Sequence, residues 1–202
     1  MSPDGPEQRV VTVRHAETEW SLSGRHTGRT DVPLTERGRA IAAQLPQRLA
    51  GWTFARVLCS PLSRARETCE LAGLGDQAEL RDDLMEWDYG DYEGLTTPQI
   101  RERRPDWDLW RDGCPGGESP AQIGARVYAV VADLRAHPVD TAVFAHGHVL
   151  RVLGACWVDL PTSGGSKLLL SPAGLSVLGY ERITPVLARW NDDDLRDCSS
   201  LV

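Results

Sequence analysis

The sequence lacks most features that mark exported, metal-binding or membrane proteins. Its five cysteines are scattered and include no Cys-x-x-Cys pair, which argues against a structural zinc site or a disulfide framework and is typical of a reducing compartment. No apolar run is long enough to span a bilayer, and residues 1–8 are polar, without the apolar core of a signal peptide. We therefore expect a cytoplasmic protein with no membrane partner.

Positive charge is also scarce. The chain contains 22 lysines and arginines against 29 aspartates and glutamates, which gives a formal net charge of −7, and Lys167 is its only lysine. An acidic chain repels nucleic acid and anionic membranes, so we expect no nucleic-acid partner. A site for an anion would have to be a local basic pocket.

The rest of the composition is typical of one globular domain. Of the 202 residues, 41% are hydrophobic and 25% are charged, which is enough to build one substantial core. We take residues 1–202 as a single domain, with flexible ends over residues 1–8 and 192–202. Buried-strand patterns alternate with helical patterns, which predicts an α/β fold with three layers.

Apolar periodicity and turn signals locate the elements. The predicted strands cover residues 10–13, 54–59, 141–145, 176–180 and 185–190. The predicted helices cover residues 36–49, capped by Thr35 and either kinked at Pro46 or ended in its regular part there; 60–72, capped by Ser60 with Pro61 in the first position; 97–103; 120–136; and 149–157. Residues 17–33, 79–94 and 105–117 are predicted to be loops.

Three predicted strands end on side chains that carry chemistry. Arg14-His15 follows the first strand, the segment 60–64 with Arg64 follows the second, and His146-Gly147-His148 follows the third. If the sheet is mostly parallel, these ends share one edge, where ligands of α/β folds bind. Arginine binds phosphate through two parallel N–H groups, and histidine can attack phosphorus. The pattern predicts a pocket for a phosphoryl dianion.

A carboxylic acid is the missing component of such a pocket, because the departing alkoxide needs a proton. Glu86 is the best candidate, since it lies in a loop rich in glycine and tyrosine. A His-x-His pair at a strand end also occurs in metal sites. No carboxylate-rich motif accompanies His146 and His148, so we favour phosphate over a metal.

Four motifs in this order resemble those of the histidine phosphatase superfamily, also called the phosphoglycerate mutase-like family. Residues 14–18 are similar to its Arg-His-Gly motif, with Ala16 in place of the usual glycine. Residues 60–68 match the second motif, residues 86–94 the third and residues 145–148 the fourth. The resemblance covers nearly the whole chain, from residue 9 to about residue 180.

The resemblance implies both a fold and a set of roles. The implied fold is an α/β/α sandwich around a mixed, mainly parallel sheet, and no metal or organic cofactor is expected. The catalytic residues implied are the nucleophile His15, the general acid Glu86, and the phosphate-holding Arg14, Arg64 and His146. The substrate-binding residues implied are Ser21, Thr27, Gly28, Tyr89, Gly147 and His148. If the position of Ala16 requires positive φ, alanine costs about 1 kcal/mol there.

The activity expected is hydrolysis of a small phosphomonoester, such as a sugar phosphate, through a phosphohistidine. Residues 86–94, 110–114 and 144–148 are similar to sedoheptulose-bisphosphatase-like and bacterial acid phosphatase members. Mutases of the family carry a lysine after the third motif, where this chain has Thr96 and Thr97, and an insertion with paired arginines, which this chain lacks. A cofactor-primed phosphoglycerate mutase and a non-catalytic phosphate-binding or regulatory protein remain the alternatives. The oligomeric state is open, and includes a homodimer.

Overall fold

The fold is built on one six-stranded sheet. The computed structural model describes residues 7–193. The strands follow the spatial order β3-β2-β4-β1-β5-β6. Their bounds are β1 Val10–Arg14, β2 Arg56–Cys59, β3 Ala78–Leu80, β4 Thr141–Ala145, β5 Leu175–Glu181 and β6 Thr184–Asp192.

Strand direction confirms the mixed, mainly parallel sheet. The strands β1, β2, β3 and β4 pair in parallel. At one edge β5 pairs antiparallel with β1, and β6 pairs antiparallel with β5. The register places Arg14 beside Ala145 and Cys59 beside Phe144. The residues that follow β1, β2 and β4 therefore leave the sheet side by side, as predicted.

Helices cover both faces of this sheet. Their bounds are α1 Glu19–Leu22, α2 Glu36–Ala42, α3 Leu45–Arg48, α4 Ser63–Leu71, α5 Thr97–Arg103, α6 Leu109–Asp112, α7 Pro120–Ala136 and α8 Gly147–Trp157. Short 3-10 turns cover Gly75–Gln77, Asp82–Leu84, Gly90–Tyr92 and Thr162–Lys167.

The two faces of the sheet bury separate hydrophobic cores. On one face Val10 and Val143 pack with the apolar stripe of α7 and with α8. On the other face Val11 and Phe144 pack with α2, α3 and α4. Successive strand residues point to opposite faces, so the continuous apolar runs of β1 and β4 fill both cores. The α/β/α layering is the result.

The start of α4 differs from the prediction. The helix begins at Ser63, so the assignment of Ser60 as its cap and of Pro61 to its first position was wrong. The Ser60 hydroxyl is bonded to His146 instead. The carboxylate of Asp31 accepts hydrogen bonds from the Ser63 amide and hydroxyl and supplies the cap from another part of the chain. Proline and serine signals alone do not reveal such a distant partner.

Proline does end the regular part of the predicted helix over residues 36–49. The Thr35 side chain caps α2 as predicted, and α2 stops at Ala42. A separate helix, α3, contains Pro46 in its first turn, where the missing N–H is tolerated. The predicted loops contain short elements that the sequence pattern missed, namely α1, β3 and α6.

Two ends that we expected to be flexible are partly ordered. The buried Gln8 side chain donates a hydrogen bond to the Leu134 carbonyl at 2.7 Å. At the other end β6 extends through Asp192, and the Asn191 side chain accepts from the Ser171 amide. Gln8 thus has a hydrogen-bond partner and Asp192 ends a strand, and the flexibility of the two ends stays a prediction. The remaining residues of both ends, 1–6 and 194–202, lie outside the described residues.

Candidate active site

A cleft of about 280 Å³ opens at the edge of the sheet where β1 and β4 end. Most of the predicted site residues line it: Arg14, His15, Ser21, Thr27, Glu86, Tyr89, Gly147 and His148. The other three, Gly28, Arg64 and His146, are buried and are connected to the cleft walls by hydrogen bonds. The strand-end argument therefore brought together residues that are far apart in the sequence.

His15 lies on the floor of the cleft and is 5% exposed. Its Nδ1 is 2.7 Å from the carbonyl oxygen of Ala16. A carbonyl only accepts hydrogen bonds, so Nδ1 carries the proton and Nε2 keeps its lone pair. Burial and the nearby Arg64 and Arg14 hold the pKa of His15 well below its usual value. The ring is therefore neutral at neutral pH, as a nucleophile must be.

His146 lies beside His15, with the two ring centroids 5.2 Å apart. The side chain is completely buried, and burial and the charge of Arg64 hold its pKa well below its usual value. The Arg64 Nε–H donates to Nδ1 of His146 at 3.1 Å. Since arginine only donates, the proton of the neutral ring is on Nε2, which lies 2.7 Å from Ser60 Oγ.

Arg64 is fully buried beneath the cleft. Besides His146, its guanidinium donates to the backbone carbonyls of Thr27, Gly28 and Thr30 at 2.9–3.1 Å. One N–H of Nη1 is left without a partner among the described residues. In this arrangement Arg64 holds the loop over residues 27–30 against the sheet edge.

Arg14 is the guanidinium most available to a ligand at the floor. Its Nη1 donates to the Leu170 carbonyl at 2.6 Å, and its buried Nε has no partner within the described chain. A Cβ atom at Gly147 would lie 3.3 Å from this Nε, so glycine gives the guanidinium its room. Burial lowers the pKa of Arg14, and a bound dianion would offset that cost.

Glu86 joins the wall of the cleft to the start of α8. One carboxylate oxygen accepts from the Trp87 and Val149 amides, and the other accepts from the His148 amide, all at 2.9 Å. The last two are amides of the first turn of α8, where a negative charge is favoured. The bonds fix the carboxyl group beside the floor residues Arg14 and His15.

Tyr89 and His148 form a hydrogen-bonded pair in the wall, with Tyr89 Oη 2.6 Å from His148 Nδ1. Burial raises the pKa of Tyr89 and lowers that of His148, so both are neutral at neutral pH. His26, in the loop after α1, is only 9% exposed and packs against Tyr89, with the ring centroids 4.8 Å apart. Its hydrophobic neighbours come from a distant loop, which the local sequence does not show.

The loop over residues 27–30 is fixed by a second carboxylate. Glu93 accepts hydrogen bonds from the Gly28 amide at 2.8 Å and from the Thr30 amide at 3.1 Å. A Cβ atom at Gly28 would lie 2.5 Å from Glu93 Oε2, so the position requires glycine. Both backbone polar groups of Gly28 are therefore occupied by Glu93 and Arg64, whereas Thr27 reaches the cleft.

Ala16 and Ser21 support the loop after β1. Ala16 is absent from the residues with positive φ in the described chain, so alanine causes no backbone strain there, and its amide donates to Thr68 Oγ1. Ser21 and Thr18 cap α1 reciprocally. That cap occupies the Ser21 hydroxyl at the border of the cleft.

Residues that the sequence argument missed complete the cleft, namely Gly24, Arg25, His26, Thr97, Arg151 and Leu170. Arg25 is close to motif residues but lies in a segment read as an irregular loop. Arg151 belongs to a helix whose pattern is apolar. A single positively charged residue in an apolar helix indicates the face that points away from the core. This is the only signal in the sequence for the position of Arg151.

A metal site does not form in the described chain. No cluster of three or more His, Cys, Asp or Glu side chains between residues 7 and 193 is arranged to hold an ion. His146 and His148 use their Nδ1 atoms to bond different partners, Arg64 and Tyr89. Within the same residues, no helix has the length and apolarity that a bilayer crossing needs.

Fold and site together define an α/β protein whose cleft, at the carboxyl edge of a mainly parallel sheet, is lined by histidine and arginine side chains. Residues 10–193 match the family model of the histidine phosphatase superfamily (branch 1). The chain belongs to this superfamily.

Known relatives agree with this placement. An acid phosphatase of Mycobacterium tuberculosis is 45% identical over 177 residues, covering 86% of this chain and 87% of the relative. A sedoheptulose 1,7-bisphosphatase of Saccharomyces cerevisiae is 40% identical, covering 75% and 68%. A 2,3-bisphosphoglycerate-dependent phosphoglycerate mutase of Mesorhizobium japonicum is 38% identical, covering 91% and 93%.

A solved structure supports the fold directly. The product of a Mycobacterium tuberculosis open reading frame superposes with a TM-score of 0.87 at 42% sequence identity, covering 91% of this chain and 97% of that chain. The relatives thus include phosphatases and a mutase. The solved structure has the same fold as this chain.

Proposed function

We propose that the protein hydrolyses a small phosphomonoester, with His15 as the nucleophile that becomes a phosphohistidine. The observation that carries this proposal is the state of the His15 ring. Its proton is held on Nδ1 by the Ala16 carbonyl, so the lone pair of Nε2 is free. The proximity of His146 and of the unpaired Arg14 Nε supports a phosphoryl group at this point.

In the first step, His15 Nε2 forms a bond to phosphorus as the bond from phosphorus to the ester oxygen breaks. The leaving alkoxide takes a proton from the Glu86 carboxyl group. The Arg14 guanidinium and the remaining Arg64 N–H neutralise the equatorial oxygens of the transferring group.

In the second step, water attacks the phosphohistidine and gives up a proton to the Glu86 carboxylate. The bond between phosphorus and His15 Nε2 breaks, so inorganic phosphate leaves and the ring regains its lone pair. The amides of Trp87, His148 and Val149 hold the carboxylate in place for both transfers. One carboxyl group therefore acts first as acid and then as base.

The wall of the cleft fits a hydroxylated substrate such as a sugar phosphate. The hydroxyl groups of Thr97 and Tyr89 and the imidazole of His148 line it, whereas the cap of α1 occupies the hydroxyl of Ser21. Neutral donors and acceptors of this kind bind alcohol groups without selecting charge. Thr27 borders the same wall.

The test is hydrolysis of p-nitrophenyl phosphate by wild type and by His15→Ala, with acid-labile phosphate on the protein measured after rapid quenching. We expect turnover and a labelled protein only with the wild type. As a control, Tyr128→Ser replaces an exposed residue of α7 and should change neither the turnover nor the labelling of the protein. Equal rates for wild type and His15→Ala would overturn the proposal, as would absence of turnover from both.

Phosphoglycerate mutase is the second candidate, because Arg25 and Arg151 line the cleft. Arg25 and Arg151 supply positive charge at positions other than those expected of a mutase. The absence of the expected lysine and of the insertion with paired arginines is therefore weaker evidence for hydrolysis than the sequence alone indicated. The experiment incubates 3-phosphoglycerate with catalytic 2,3-bisphosphoglycerate. Formation of 2-phosphoglycerate faster than release of phosphate would favour the mutase.

Cytoplasmic location and homodimer formation remain proposals. Cys59, Cys69, Cys114 and Cys156 are free thiols, which supports a reducing compartment. Cell fractionation tests the location, and light scattering of the purified protein tests the dimer.

A further inference from the structure

The Arg14 guanidinium at the floor of the cleft is anchored at one point. Among residues 7–193, its hydrogen bond goes to the Leu170 carbonyl, which lies 2.6 Å from Nη1. The buried Nε has no partner in that range. The direction in which the remaining N–H groups of Arg14 point therefore depends on where the Leu170 carbonyl is held.

Leu170 belongs to a segment, residues 168–174, that has little regular structure of its own. The segment joins the last 3-10 turn to β5. Inside it, the Gly174 amide donates to the Ser171 carbonyl at 2.9 Å, and Ala173 has a positive φ of 56°. Such a short turn cannot fix the whole segment against its conformational entropy. Contacts from other elements must therefore hold the Leu170 carbonyl in place.

Asn191, near the end of β6, holds this segment at the residue that follows Leu170. The Asn191 Oδ1 accepts from the Ser171 amide at 2.6 Å, and Nδ2 donates to Ser171 Oγ at 3.3 Å. The Ser171 amide and the Leu170 carbonyl belong to one peptide group, which is trans and planar. Arg14 and Asn191 are therefore bonded to opposite sides of the same rigid peptide.

This shared peptide links the Asn191 side chain to the guanidinium. A rotation of the peptide plane that broke the bond to Asn191 would also turn the Leu170 carbonyl away from Arg14 Nη1. Hydrogen bonds in a continuous chain also polarise one another, so loss of the first bond weakens the second. The orientation of Arg14 is therefore coupled to a side chain of the edge strand.

The backbone of Asn191 is suited to this contact. Its φ is 52°, a left-handed conformation that asparagine adopts more readily than most residues with a side chain. It is the only asparagine in the chain. A Cβ atom at Gly174 would lie 2.7 Å from Asn191 Oδ1, so glycine gives the side chain its room. The position combines a left-handed backbone with a short side chain that both accepts and donates.

We propose that Asn191 is a positioning residue, whose side-chain amide holds the Leu170–Ser171 peptide and thereby orients the Arg14 guanidinium toward the phosphoryl group. This inference rests on the proposed function, in which Arg14 neutralises that group. Asn191 lies outside the four motifs and is not among the residues that line the cleft. It acts through Arg14 and touches no substrate.

The test compares the wild type with Asn191→Gly, which removes the side chain and tolerates the left-handed backbone. The dissociation constant of inorganic phosphate, measured by calorimetry, reports the oxyanion site without turnover. We expect Asn191→Gly to raise this constant about 3- to 10-fold, as the loss of one hydrogen bond does, and to lower kcat/KM for p-nitrophenyl phosphate similarly. Asn191→Asp keeps an acceptor for the Ser171 amide and should retain most of the phosphate affinity.

Arg182→Gly is the matched control. Arg182 is an exposed residue in the turn between β5 and β6, with a φ of 57°. The substitution introduces glycine at the same kind of backbone position and should leave the phosphate affinity unchanged.

A double-mutant cycle separates a positioning role from a structural one. In the Arg14→Gln protein, Asn191→Gly should have little further effect on kcat/KM, because the group that Asn191 orients has been removed. Effects of the two substitutions that multiply, as those of independent sites do, would contradict the positioning role.

The outcome does not depend on one variant. An unchanged phosphate dissociation constant in folded Asn191→Gly would overturn the inference. If that variant does not fold, the wild type labelled with ¹⁵N-asparagine gives the side-chain amide signal of Asn191 alone. We expect saturating phosphate to shift this signal, and the absence of a shift would overturn the inference.

Phosphate binding also separates this inference from the reaction. If Asn191→Gly weakens phosphate binding while the wild type hydrolyses no phosphomonoester, the positioning role stands and the hydrolytic function is wrong. If the wild type is an active phosphatase and both proteins bind phosphate equally, the function stands and the positioning role is wrong.

Discussion

The Ser60 hydroxyl and the His146 ring are joined by a buried hydrogen bond of 2.7 Å between Oγ and Nε2. Because Arg64 donates to the other ring nitrogen at 3.1 Å, the imidazole proton must point to Ser60. Ser60 therefore fixes which nitrogen of His146 is protonated. It does so from the end of β2, a different strand from the one that carries the histidine.

Ser60→Ala should lower kcat about tenfold, because a buried imidazole N–H without an acceptor costs about 1–3 kcal/mol and the ring can then rotate or change tautomer. Ser60→Thr keeps the acceptor and should restore most of the rate. The measurements are the pH profile of kcat and the ¹⁵N chemical shifts of His146, which report the tautomer.

Ser176→Ala is the matched control for Ser60. Ser176 is also fully buried, and its hydroxyl accepts from the Asn191 amide at 3.0 Å, on the far strands of the sheet. Ser176→Ala should lower the stability of the protein without changing the pH profile of kcat or the ¹⁵N chemical shifts of His146. If Ser60→Ala behaves in the same way, Ser60 has only a packing role.

Glu86→Gln tests the proposed acid. The amide cannot give a proton to a leaving alkoxide, so we expect a large loss of turnover for alkyl phosphates and a much smaller loss for p-nitrophenyl phosphate, whose leaving group needs little protonation. Glu118→Gln is the control, since Glu118 is bonded to Arg126 in the adjacent segment and does not line the cleft. Equal losses on both classes of substrate would remove Glu86 from this role.

The fold was predictable wherever local pattern and burial agree. Residues 10–13 and 141–145 are apolar on both faces because each lies inside a sheet between helical layers, and both became strands of the central pair. The helix over 120–136 begins at a Ser119 cap and follows its apolar stripe. The same strand ends led to His15 and His146, because a parallel sheet brings its carboxyl ends to one edge.

Long-range partners limited the prediction. The start of α4 depends on Asp31, about thirty residues earlier, and no propensity of residues 60–63 encodes that contact. His26 packs against Tyr89, which belongs to the third motif, about sixty residues later in the chain. The position of Arg151 in the site follows from its contact with the Trp110 ring and from the cleft that it lines. Such contacts follow from tertiary packing, so they become visible only when the elements are assembled.

The buried, neutral His26 predicts acid instability. Its folded pKa is about 4 and an unfolded histidine titrates near 6.5, so the unfolded chain binds the proton first. The free energy of unfolding should therefore fall as the pH decreases from about 6.5 to about 4, by on the order of 1–3 kcal/mol from this residue. Urea titrations at several pH values measure the slope.

His26→Gln should make the dependence of the free energy of unfolding on pH shallower. The other buried histidines should still contribute part of that dependence. A slope in His26→Gln as steep as in the wild type would show that His26 contributes nothing to it.

The last prediction concerns the cap of α4. Asp31 Oδ1 accepts from the Ser63 amide at 2.9 Å and from its hydroxyl at 2.7 Å, whereas Leu62 at the cap position has no side chain that accepts. Asp31→Ala should reduce stability by about 1 kcal/mol, as loss of a helix cap does. It should also reduce kcat/KM, because α4 carries Arg64 and residue 31 continues the loop that Arg64 holds.

Asp31→Asn retains an acceptor for the Ser63 amide and should therefore lose less stability and less kcat/KM than Asp31→Ala. Glu36→Ala provides the comparison, because Glu36 is an exposed carboxylate in the first turn of α2, a helix that Thr35 already caps. Thermal unfolding and p-nitrophenyl phosphate kinetics on the three variants measure the effect. If Asp31→Ala and Glu36→Ala lose equal stability, the effect of Asp31 is one of helix-end charge and the distant cap contributes little.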